Sequence, residues 1–97
     1  MRELVLHLKR KYFDAIRAGT KVVELRRVTA YWCSRLDGDK GRQYTHTHFV
    51  LGYAPLDEPY SNIVRAVQKI ERTAIVHEEF GTEPVEVFAI HIRGAKY

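Results

Sequence analysis

Apolar and polar residues alternate from the start of the chain. Over Glu3–Leu8 (ELVLHL), Leu4, Leu6 and Leu8 fall on one face and Val5 and His7 on the other, the period of a strand with a declared core side. The period then lengthens. Leu8, Tyr12, Phe13 and Ile16 recur at helical spacing while Lys9, Arg10, Asp14 and Arg17 take the wet side, which predicts an amphipathic helix over Lys9–Ala18. Gly19 follows the last periodic residue, where a left-handed helix end favours a residue without Cβ. Val22 and Val23 restart the strand period over Lys21–Val28. Val22, Glu24 and Arg26 share one face of it; Lys21, Val23, Leu25 and Arg27 share the other.

Thr29 is placed to cap a short helix, Ala30–Leu36, although no Glu or Gln completes a capping box. Asp37–Gln43 (DGDKGRQ) has no apolar residue and reads as a loop, with Lys40 and Arg42 at its tip able to touch phosphates. Tyr44–Tyr53 reads as a strand with Thr45, Thr47, Phe49 and Leu51 on one face and Tyr44, His46, His48 and Val50 on the other. Gly52–Asn62 holds two prolines and reads as a loop. Ile63–Val76 is ambiguous: Ile63, Val67 and Ile70 suit a helix, whereas Val64, Ala66, Gln68, Ile70, Arg72 and Ala74 suit a strand loosely. His77–Pro84 reads as a turn. Val85–Arg93 is apolar in both phases, as a strand central in its sheet should be, and Gly94–Tyr97 is a short tail.

At 97 residues these elements make one domain around one core. No apolar run approaches the ~20 residues of a membrane span, and the N-terminus enters a strand without a signal-peptide core. A single cysteine, Cys33, allows no internal disulfide and agrees with a reducing, cytoplasmic setting. The net charge of +4 is uneven: residues 1–50 carry 11 Lys and Arg against 5 Asp and Glu, residues 51–97 carry 5 against 7. Basic character therefore gathers on the first half, either as an ordinary solvated face or as a surface for a polyanion.

That half holds the candidate chemistry. Lys21 and Arg26 converging on one pocket would make an anion site, the arginine giving a planar fork and the lysine a point charge. Lys21 is out of phase with Arg26, but at a strand's first residue a long side chain can swing round. Glu24 could orient the arginine, accept from a base amino group or act as a general base. Alternatively, Glu24 and Arg26 are an exposed pair of little consequence. Tyr31 is the better aromatic for stacking a base, Trp32 suits a core or lid position, and Arg35 stands on the same helix as a further ligand-binding candidate. His46 and His48 could reach one metal, but no third ligand stands at a recognised spacing, so no metal or other cofactor is expected. Cys33 beside Trp32 reads as a small buried hydrophobe, and no phosphate-loop, dinucleotide or serine-nucleophile motif is present.

Gly19-x-Lys21-x-x-Glu24-x-Arg26, following a helix that ends Ile16-Arg17-Ala18, resembles the signature of the ASCH domain family of the PUA-like superfamily, in a small stand-alone bacterial or phage form. The motif covers residues 19–26; helix, motif, aromatics and last strand follow in family order along most of the chain. The resemblance implies an α+β fold: a PUA-like mixed β-barrel of five or six strands with two or three short helices, in which residues 63–76 form a long strand. It implies a cleft lined by the motif that binds RNA, a nucleotide or a nucleoside, with Lys21, Glu24, Arg26, Tyr31 and Arg35 as binding residues. Some relatives of this kind resemble hydrolases, either N4-acetylcytidine amidohydrolases or ribonucleases, for which Lys21 and Glu24 are the catalytic candidates here. The amidohydrolase pattern carries Thr where this chain has Glu24. It also needs a downstream Glu, for which Glu71, Glu78 and Glu79 qualify by type only.

Overall fold

In the computed structural model, which describes residues 2–94, Leu4, Leu6 and Leu8 are buried and their neighbours exposed along a first strand, β1 (Glu3–Leu8). Residues 95–97 of the expected tail lie outside the described residues. The first helix, α1 (Arg10–Ala18), buries Phe13 and Ile16 against the β1 leucines, so its apolar face is the one the spacing predicts.

Gly19 ends α1 in the left-handed region at φ 83°. Its N–H donates to Ile16 O at 3.1 Å, and the N–H groups of Thr20 and Lys21 both donate to Ala15 O, at 3.0 and 3.1 Å. Two carbonyls of the last helical turn are thus satisfied by three successive N–H groups, and the chain is folded back so that Lys21 starts beside the helix. Gly19→Ala forces a Cβ into this conformation and is expected to cost about 1–2 kcal/mol. Urea denaturation checks this; a loss below about 0.3 kcal/mol would contradict it.

Four more elements of regular structure follow: β2 (Val23–Arg27), α2 (Ala30–Leu36), β3 (His46–Leu51) and β4 (Asn62–Ile75), before the last strand, β5 (Val85–Ile92). Thr29 caps α2 as expected, its Oγ1 accepting from the Trp32 N–H at 3.3 Å. Asp37–Gln43 is more regular than its composition predicts. Gly38–Gln43 winds into 3-10 turns, in which Lys40 N–H donates to Asp37 O and Tyr44 N–H to Gly41 O. The turn after β4 likewise contains a 3-10 stretch, Glu78–Phe80.

The five strands form one mixed sheet in the order β1-β3-β4-β5-β2. β1 and β3 are parallel, with α1, β2 and α2 supplying the crossover; the other pairs are antiparallel. β4 is a strand throughout, and it belongs to two ladders. Asn62–Ala66 pair with β3 and Val67–Ile75 with β5, and a register shift falls between Val67 and Lys69. An extra residue there bends a strand locally and increases its twist. β5 lies between β4 and β2 and is buried in both phases, from Val87 to Ile90 and at Ile92, as its continuous apolar run predicts. One core joins the β1 leucines, Phe13, Ile16, Leu36, Phe49, Ile63, Phe88, Ile90 and Ile92. Among the described residues no ladder connects β1 to β2, so both are sheet edges. No helix among the described residues is long and apolar enough to cross a membrane.

Candidate functional site

The register of β2 decides where the motif residues point. Glu24 stands opposite Ile90 and Arg26 opposite Phe88, both core residues, so the two charged side chains face the interior side of the sheet. Glu24 is only 6% exposed. The alternative of an exposed surface pair is therefore overturned. β2 is an edge strand, and polar groups buried on its inner face are tolerated only if they are paired.

They are paired. Glu24 Oε2 accepts from Arg26 Nη2 at 2.7 Å and Glu24 Oε1 lies 3.4 Å from Lys21 Nζ. Lys21 does swing round: Nζ also donates to its own strand at Val23 O, 2.6 Å away. Arg26 Nη2 donates in addition to His7 O at 3.0 Å, so one guanidinium links the edges of β1 and β2. Arg26 Nε is buried without a partner among the described residues. The trio carries two positive charges and one negative, and each carboxylate oxygen of Glu24 is engaged by one of the two cations. Lys21 Nζ sits 5.3 Å from the Tyr12 ring centre and Arg26 Cζ 5.5 Å from that of Trp32, within cation–π range.

These side chains border a cavity of about 180 Å³ between the two sheet edges, the start of α1 and the turn after β4. Its far wall was not legible in the sequence. Tyr12 OH donates to Glu79 Oε1 at 2.7 Å, and Lys9 Nζ lies 3.4 Å from Glu79 Oε2. The bond to Glu79 pushes the Tyr12 phenol up to about 12 from an ordinary 10.0. The same bond, helped by Lys9, holds the Glu79 carboxyl below its usual value. Because the folded-state phenol titrates above the unfolded one, its contribution to stability is complete below pH about 10 and is lost as pH rises through about 12. The Glu79 contribution is complete above the ordinary carboxylate range and is lost as pH falls through the lowered folded value. Tyr12→Phe should flatten the alkaline limb of a melting-temperature profile, and an unchanged limb would contradict the assignment.

Of the predicted site residues, Lys21, Glu24 and Arg26 come together; Tyr31 and Arg35 stand apart from the cavity. Tyr31 is exposed, with Arg35 Cζ 3.6 Å from its ring centre and Trp32 edge-on at 4.8 Å. Trp32, edge-on to Tyr31 and beneath Arg26, links this pair to the site. Cys33 is partly buried against the core. His48 Nε2 bonds Asn62 Oδ1 at 2.7 Å and His46 Nδ1 bonds Thr45 Oγ1 at 2.9 Å. No group of three or more metal-ligating side chains occurs among the described residues. Arg42 pairs with Asp39 in the open. The three downstream glutamates separate clearly: Glu71 pairs with His91 and Lys69, Glu78 pairs with Lys11 on the surface, and Glu79 lines the cavity. By its spacing Tyr12 reads as part of the helix's core face. The available signal was its hydroxyl, since a half-buried phenol needs a partner. Compared with protein-family models, curated proteins and solved structures, the chain finds no match.

Proposed function

We propose that this chain is an ASCH-like, PUA-like domain that binds single-stranded RNA or a nucleotide through the cavity around Lys21, Glu24 and Arg26. The observation that carries the reading is the pair of cations fixed by a nine-tenths-buried carboxylate in the lining of a small cavity with aromatic walls. Arg26, which bonds the β1 edge while rooted in β2, is consistent with a sheet curled toward a barrel. The cavity's size narrows the ligand. At about 180 Å³ it falls below the ~300–1,000 Å³ of sites that engulf drug-sized molecules, so it takes one flat ring or one anionic group. The rest of a strand would lie outside, across the basic first half of the chain.

A labelled short single-stranded RNA, incubated with wild type and Lys21→Ala and run on native and denaturing gels, tests this. A native shift with intact RNA that Lys21→Ala weakens supports binding. Fragments that disappear with Lys21→Ala indicate a ribonuclease instead. A hydrolase of N4-acetylcytidine is the second reading, favoured by Glu79, the one downstream glutamate at the cavity. Glu24 in place of Thr speaks against it. Release of acetate from N4-acetylcytidine, lost in Glu79→Gln, would establish it.

A further inference from the structure

The ladder between β2 and β5 fixes where each main-chain group of β2 points. Val22 O accepts from Ile92 N–H and Val28 N–H donates to Glu86 O, so the even-numbered residues of β2 form the hydrogen-bonded pairs with β5. Val23, Leu25 and Arg27 are the non-bonded pairs, and their N–H and C=O groups point away from β5 to the free edge. The Lys21 side chain confirms the parity, because it caps Val23 O from that side. His7 O points back from the β1 edge by the same logic, since Arg2 O and Leu8 O are used toward β3 and its continuation. Between the capped Val23 carbonyl and Arg27, Leu25 lines the cavity. Its N–H and C=O meet no partner among the described residues.

A strand residue with both groups free presents one donor and one acceptor side by side at a fixed spacing. A protein edge that is left open usually invites another strand, but this cavity is too small for a peptide. What matches it is a flat ring with an adjacent acceptor and donor on one edge, which is how the Watson–Crick edges of nucleobases are built. We infer that the Leu25 main chain reads the Watson–Crick edge of a single nucleobase inserted between the β1 and β2 edges. The inference rests on the proposed nucleotide-binding reading and assigns its parts. Tyr12 and Phe80 are the apolar walls, and Lys21 and Arg26 hold the attached phosphate at the mouth. Specificity then depends on the base edge being unblocked, with every unmodified base able to supply one donor and one acceptor.

Amide hydrogen exchange by NMR tests this without changing a side chain. In the free protein Leu25 is expected to exchange at least tenfold faster than Glu24 and Arg26, whose amides are tied into the ladder. Saturation with uridine should slow Leu25 at least tenfold and move its amide proton downfield, whereas N3-methyluridine, which lacks the edge donor, should do neither. Leu25→Pro removes an N–H that no ladder bond uses, a position an edge strand tolerates. It should abolish uridine binding while Leu25→Ala keeps it within threefold. Leu25 protected in the free protein, unchanged at saturation, or equal binding of the methylated nucleoside would each overturn the inference. RNA binding that Lys21→Ala removes while Leu25 stays unaffected overturns this inference alone. Absence of both RNA and uridine binding overturns the proposed function with it.

Discussion

Glu24→Ala is expected to lower stability by about 2–4 kcal/mol, because it leaves two cations facing each other at the cavity without their counter-ion. Removing one member of a fully buried pair costs somewhat more than that; Lys21 and Arg26 side chains are 19% and 21% exposed, so water recovers part of the loss. For a domain of this size the whole folding free energy is ~5–15 kcal/mol, so the loss is a large share, equivalent to roughly 10–25 °C of melting temperature. Glu24→Gln keeps an acceptor for Arg26 Nη2 and should lose less. Arg26→Ala added to Glu24→Ala should cost less than the sum of the single changes, since the pair acts as a unit. A Glu24→Ala protein within about 0.5 kcal/mol of wild type would show that the carboxylate does not organise the site.

Arg26→Ala is expected to weaken RNA binding by about tenfold to a hundredfold, the loss of a charge-assisted contact at the cavity. Arg26 also bonds His7 O, so part of this is lost positioning of the β1 edge against β2. Arg26→Lys separates the two effects. It restores the charge but not the planar guanidinium that bonds Glu24 and His7 O at once, and should recover less than half of the lost binding free energy, whereas full recovery would reduce the arginine to a point charge. Melting curves of both variants, taken alongside the titrations, keep affinity apart from unfolding.

Local chemistry made much of this readable in the sequence. Leu4, Leu6 and Leu8, the Gly19 stop, the Thr29 cap and the two-phase burial of β5 each follow from a rule that acts within a few residues. The shared face of Glu24 and Arg26 followed from strand parity alone. Which way that face points did not. A strand face bearing Glu and Arg reads as outward, and only pairing with Phe88 and Ile90 turns it inward. The long strand β4 was obscure for a related reason: of its fourteen residues only Ile63 is buried, so no burial period was written into it. Tyr12 and Glu79 meet across 67 positions of sequence, and no local spacing announces such a pair. The parallel β1–β3 pairing and the open edge at Leu25 are likewise properties of the strand order, which residue patterns do not encode.

The most direct test of the central claim is a salt titration of RNA binding, with fluorescence anisotropy of a labelled short single strand on wild type and Lys21→Ala. Wild type is predicted to bind with an affinity that falls as salt rises, and Lys21→Ala to bind about tenfold more weakly with a salt slope shallower by about 0.7, the release of one phosphate contact on a single strand. Equal affinity and equal slope for the two proteins would contradict the account and move any RNA contact away from this cavity.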